Sequence, residues 1–206
     1  MIDEGYTKYT CDWRRAPALP ASVIHDLNEW RNRLHDAGLV GYYEEHGVGF
    51  GNLSTRVDGY EQFIISGTQT GCIEHTDENH YSRVIAWDID ANHVTCEGPV
   101  QASSEALTHA ALYELDADIR AVVHVHSPIL WRTLLHRIPT SAEAVRYGTP
   151  AMAREFLRLY RETDLAETGI AVMAGHEHGI IAFGHTLEQA AQRILGTGGR
   201  TNASPR

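Results

Sequence analysis

The chain has almost no lysine. Of its 17 basic residues only Lys8 is a lysine and the other 16 are arginines, beside 13 histidines. A Schiff-base or pyridoxal-phosphate enzyme needs a desolvated lysine in its site. Lys8 lies in the polar run Thr7-Lys8-Tyr9-Thr10, which does not provide one. Gly-Lys-Ser/Thr is absent, which excludes a P-loop nucleotidase. There is no basic run, and the net charge is −10. Broad-surface binding to nucleic acid or to an anionic membrane is therefore not expected. No apolar run approaches the ~18 residues of a membrane span, and the first residues carry no basic, apolar leader pattern. The three cysteines, Cys11, Cys72 and Cys96, are odd in number and lack a CxxC pair. That excludes a disulfide framework and a zinc ribbon. The expectation is a soluble, cytoplasmic protein of a reducing compartment. Without an amine electrophile, carbanion chemistry would need another electrophile, and the histidine excess points to a metal.

Hydrophobic residues make up 43% of the chain and charged residues 21%, enough apolar material for a sizeable core. Residues 1–20 read as a polar arm. Val23, Leu27, Trp30 and Leu34 recur at helical spacing over 21–37, and Gly38 ends the run. Residues 47–57 and 62–66 read as strands joined at Asp58-Gly59, and 83–88 and 93–96 as a hairpin. Helices are expected over 104–115, 128–136, 150–161 and 187–195. Strands are expected over 119–125, 170–174 and 179–183, and a flexible tail over 196–206. This order predicts one α/β domain over 21–195 with a largely antiparallel sheet.

His124-Val125-His126 carries the first chemical signal. Residues i and i+2 of a strand share a face, so the two imidazoles stand side by side as a bidentate metal grip. Strand histidines also occur merely packed, so a second cluster matters. Gly175-His176-Glu177-His178-Gly179 supplies one. A catalytic zinc keeps three protein ligands and an open position, and the residues alone do not choose between His176 and His178. Ser103-Ser104-Glu105 opens a helix. Read structurally, it is an N-cap with an acid in the first turn; read functionally, it is an anion site with a carboxylate beside the metal. The loop Ser66-Gly67-Thr68-Gln69-Thr70-Gly71 and the run Gly51-Asn52-Leu53-Ser54 offer further donors. His109 follows Glu105 by one helical turn and could orient it. His46 precedes the Gly51 strand.

Taken in order, Gly51-Asn52-Leu53-Ser54, Ser66-Gly67-Thr68, Ser103-Ser104-Glu105, Ala121-Val122-Val123-His124-Val125-His126 and His178-Gly179 resemble the class II aldolase/adducin family. The likeness runs over roughly residues 21–195. It implies a three-layer α/β/α sandwich around a mostly antiparallel sheet and a homotetramer with sites between subunits. It implies His124, His126 and His178 as metal ligands and Glu105 as acid/base or fourth ligand. It places Asn52, Ser66, Gly67, Ser103 and Ser104 around a substrate phosphate. Zn²⁺ is the implied metal, with Mn²⁺, Fe²⁺ or Co²⁺ as alternatives. The implied activity is a lyase of carbohydrate metabolism, an aldolase acting on a hydroxy-ketone or ketose, phosphorylated or not, through a metal-stabilised enediolate. The alternatives are a dehydratase, an epimerase, a decarboxylase, or a non-catalytic adducin-like interaction domain. Two departures stand out. The 66–71 loop is longer and richer in threonine than the short turn of the sugar-phosphate aldolases. Tyr147 is the only tyrosine near the segment where those enzymes place a catalytic one.

Overall fold

The structure is a computed structural model that describes residues 9–59 and 61–200. The chain begins with β1 (Thr10–Arg15), α1 (Ala21–Asp36), β2 (Gly41–Tyr43), β3 (Val48–Phe50), β4 (Asn52–Arg56) and β5 (Phe63–Ser66). A short 3-10 turn, β6 (Tyr81–Asp88), β7 (His93–Gly98), α2 (Ala106–Leu115), β8 (Ala121–His126) and α3 (Pro128–Leu134) follow. The remainder is α4 (Pro150–Glu162), α5 (Leu165–Thr168), β9 (Ile170–Val172), β10 (Gly179–Gly184) and α6 (Leu187–Arg200).

Eight strands form one sheet in the order β1-β7-β6-β5-β4-β8-β10-β9. Every pair in it is antiparallel except β1 with β7. Strand alternation sorts its side chains into two cores. Val122, Ile181, Phe63 and Ile65 join the buried residues of α2 and α4 in one cluster. Val123, Val125, Ile180, Ala182 and Ile64 join those of α1 and α6 in the other. Each Val, Ile or Phe side chain among them, fully buried, contributes about 1.5–3 kcal/mol. Both faces of the sheet are thus covered, and β8 is buried along its whole length. That is why its sequence reads as an unbroken apolar run interrupted only by the two histidines.

Three expectations change. Residues 10–15, read as part of a polar arm, form an edge strand; most of their side chains face solvent, which accounts for the polarity. Residues 1–8 of that arm lie outside the described residues. The run 47–57 breaks at Gly51, whose φ of 79° is left-handed. Its first part pairs with β2 in a separate two-stranded sheet. The last helix continues to Arg200, into the stretch read as a flexible tail, with Thr197 buried and its hydroxyl donating to the Ile194 carbonyl. Residues 201–206 lie outside the described residues. Among the described residues, no helix is long and apolar enough to cross a membrane.

Candidate metal centre

The antiparallel register around β8 assembles the site. Asn52, the first residue of β4, lies opposite His124, and Gly179, the first residue of β10, lies opposite His126. Two chain entries therefore meet the C-terminal end of β8 where the histidines stand. Both imidazoles project to the same face as Val122, toward α2.

Each ring is held from behind. His124 Nδ1 lies 3.1 Å from the Ile180 carbonyl oxygen. A carbonyl only accepts, so Nδ1 carries the proton and Nε2 presents its lone pair. His126 Nδ1 lies 3.2 Å from the Tyr43 hydroxyl, and its Nε2 lies 3.1 Å from His124 Nε2. The third ring is His176. Its centroid is 5.0 Å from that of His124 and 4.6 Å from that of His126. One nitrogen from each of the three lies within 4.8 Å of the others. Tyr147 stacks on His176 with centroids 4.1 Å apart. Glu105 is buried beside it, with Oε1 3.8 Å from His176 Nδ1.

Burial disfavours the charged form of the two strand histidines. It pushes His124 down to about 4. His126 falls well below the usual histidine range through burial and then through His124 and His178. Neutral imidazole is the ligating form, so a proton does not compete for the lone pairs near pH 7. Three buried imidazole nitrogens with an adjacent carboxylate form a donor set suited to Zn²⁺ or another divalent first-row ion. The residues present fit such an ion.

His178, expected as the third member, lies outside this cluster, and His176 takes its place. The turn between β9 and β10 explains the exchange. His176 N–H bonds the Met173 carbonyl and Gly179 N–H bonds the His176 carbonyl, which fixes the His176 ring over β8. His178 sits at φ 67°, in the left-handed region, with its main-chain carbonyl bonded to Ser127 N–H. Its side chain is 22% exposed and lies 3.6 Å from the Glu177 carboxylate. A Cβ on Gly179 would come within 3.0 Å of the His176 carbonyl and 3.2 Å of His124 Cε1, so glycine is what lets the turn close onto the rings.

A cleft opens over the three imidazoles. Asn52, Gly67, Ser103, Ser104 and Glu105 line it, together with Gln69, Thr70 and Tyr147. Ser66 lies behind the wall, its hydroxyl accepting from Leu53 N–H at 3.2 Å. Several N–H groups that the sequence offered to an anion are already used. Gly67 N–H goes to the His80 carbonyl, Thr68 N–H to Gln101 and Ser103 N–H to Ser66. Asn52 Oδ1 is buried without a hydrogen-bond partner among the described residues. Ser103 Oγ accepts from Glu105 N–H at 3.3 Å, a local turn that sets the carboxylate at the start of α2.

His109 does not reach Glu105 through Nδ1. It is wholly buried and that nitrogen lies 2.6 Å from Ser54 Oγ, which is in turn 2.7 Å from the Tyr113 hydroxyl. Burial, and then His124, pushes its pKa well down. His46 packs edge-on to Tyr43, 6.4 Å between centroids.

Sequence reasoning passed over Tyr43 and Arg31. Arg31 lies within the buried stripe of α1, beside Leu27, Trp30 and Leu34, and that position is the signal that would have found it. Its guanidinium donates to the carbonyls of Thr70 at 2.8 Å and Glu74 at 2.9 Å, which ties the cleft loop to the helix.

The chain belongs to the class II aldolase and adducin family: residues 34–197 match the family described as Class II Aldolase and Adducin N-terminal domain. It is 26% identical to human beta-adducin over 145 residues, 66% of this chain. The chain spans about a fifth of the length of that relative, 20%. Among solved structures it resembles an L-fuculose 1-phosphate aldolase at a TM-score of 0.65 and 19% identity, covering 92% of this chain and 91% of the other. It also resembles a sugar-phosphate aldolase from Thermotoga maritima at a TM-score of 0.63 and 16% identity, covering 89% and 97%. At these identities the two likenesses establish the fold.

Proposed function

We propose that this member of the class II aldolase and adducin family is a metal-dependent lyase, an aldolase that cleaves or forms a carbon–carbon bond next to the carbonyl of a small hydroxy-ketone or ketose. The observation that carries the reading is the trio of buried, converging imidazoles His124, His126 and His176 beside the buried carboxylate of Glu105. His124, His126 and His176 would hold a divalent cation, Zn²⁺ first among candidates. When bound, the cation supplies Lewis acidity toward the carbonyl and hydroxyl oxygens of a substrate.

The chain's own groups divide the remaining work. Glu105 moves a proton at a substrate carbon or oxygen, acting as general base and then acid through its carboxylate. Its burial at the wall of the cleft beside His176 suits that task. Asn52 and Ser104 orient substrate oxygens from the cleft wall, while Ser66, Gly67 and Ser103 shape that wall. Tyr147 holds the His176 ring in plane and closes one side of the cleft against water. In this reading the helices complete a three-layer α/β/α arrangement and the protein assembles as a homotetramer.

The similarity to beta-adducin favours one rival, a non-catalytic interaction domain on the same fold. Intact metal-ligating chemistry argues against it, because an interaction surface does not need three buried histidines converging on one point. The test has two steps. Purified protein is analysed for bound divalent metal, and the loaded protein is screened for retro-aldol cleavage of phosphorylated and non-phosphorylated ketoses. Coupled assays would detect dihydroxyacetone phosphate, pyruvate or glycolaldehyde. Metal at about one equivalent per chain with turnover supports the lyase; a chain that binds no divalent metal sinks it.

A further inference from the structure

At the β1 edge of the sheet two thiols face each other. Cys11 Sγ of β1 and Cys96 Sγ of β7 lie 3.6 Å apart. The parallel register sets Cys11 opposite Val94 and Trp13 opposite Cys96, so both thiols stand on one face of neighbouring strands, a diagonal apart. Cys96 is buried, Cys11 is half-buried, and the third cysteine, Cys72, is exposed on the distant 66–76 loop. β1 is an edge strand, bonded to β7 alone.

We propose that Cys11 and Cys96 form a redox-active dithiol, a modification site at which a hydroperoxide converts the thiol pair into a disulfide that latches β1 to β7. Cys11 is the sulfur that solvent reaches. A sulfur–oxygen bond forms as the peroxide O–O bond breaks, giving a sulfenic acid and an alcohol that takes up a proton. Cys96 then attacks that sulfur, the S–O bond breaks and water leaves. The two thiols lose two electrons and two protons in all, and the hydroperoxide is reduced to alcohol and water. Cys96 Sγ, 3.6 Å from Cys11 Sγ, is the sulfur placed to attack it.

The latch lies close to the cleft without belonging to it. Tyr9, next to β1, donates its hydroxyl toward the carbonyls of Ala102 at 2.9 Å and Ser103 at 3.0 Å. Fastening β1 therefore also fastens the segment that carries Ser103. The proposal does not depend on the lyase reading.

The test treats the intact protein with cumene hydroperoxide and then alkylates it under denaturing conditions. Digestion and mass spectrometry should show the Cys11 and Cys96 peptides linked, lighter by two hydrogens and separated by dithiothreitol, while Cys72 stays out of the link. The oxidised protein should melt roughly 5–10 °C higher, since the bond closes a long chain loop. Cys11→Ser should lose both the link and the rise. The proposal is overturned if Cys96 stays alkylatable while Cys11 advances to sulfinic acid, or if Cys72 is the linked partner. It is equally overturned if the melting temperature of Cys11→Ser rises as much as that of the parent.

Discussion

The ring of His124 is fixed by the carbonyl of Ile180, one residue from its cross-strand partner, at 3.1 Å. That single bond decides which nitrogen of the ring is bare. It fixes the orientation of a strand histidine, because the backbone of β10 cannot rotate away. Tyr43 treats the second histidine of the pair in a similar way, at 3.2 Å.

The choice between the two histidines of the β9–β10 turn is sharp. His176→Ala should lower divalent-metal affinity by more than 100-fold, whereas His178→Ala should change it by less than threefold. Titration of the metal-free protein with Zn²⁺ against a competing chelator reads both. Tyr43→Phe removes only the support of His126 and should cost about 10-fold.

Acid should weaken the metal-free protein before it protonates the bulk of the carboxylates. Burial holds His124 near 4 in the fold, while the unfolded chain titrates near 6.5. Between those values the unfolded state binds more protons, so stability rises with pH. The contribution is complete above about pH 6.5 and is lost as pH falls toward 4, at up to about 1.4 kcal/mol per unit for one site. Urea midpoints measured from pH 7 to pH 4 should fall, and His124→Gln should flatten that fall. An unchanged slope in the variant would remove His124 from the account.

Glu105 should separate binding from chemistry. Glu105→Gln keeps the volume and removes the proton acceptor. Turnover should drop about 10²–10⁴-fold, while metal stoichiometry stays at the level of the parent. A variant that loses its metal instead would make Glu105 a ligand.

Arg31 should matter for the cleft without touching substrate. Arg31→Met leaves the carbonyls of Thr70 and Glu74 without their donor in a buried place. A loss of about 2–4 kcal/mol is expected in urea unfolding. Amide exchange over residues 67–76 should accelerate more than that over α2, which Arg31 does not hold.

Much was fixed by local pattern alone. His-Val-His on a short, β-branched apolar run reads as a strand that places two imidazoles on one face, and the lysine shortage removed amine chemistry before any fold was known. The order of the five motifs identified the family, and the helical period of Val23, Leu27, Trp30 and Leu34 placed α1. What the pattern could not decide depended on contacts distant in sequence. Polar residues 10–15 became a strand because the β7 edge offered unpaired backbone groups, a fact with no trace in their own composition. His176 rather than His178 stands beside the strand pair because the turn bonds of Met173 and Gly179 aim its ring at β8, and sequence spacing does not specify that aim. Arg31 and Tyr43 acquired their roles from carbonyls and a ring brought near by packing. Sequence periodicity specifies which face a residue occupies; only the tertiary structure specifies what stands opposite that face.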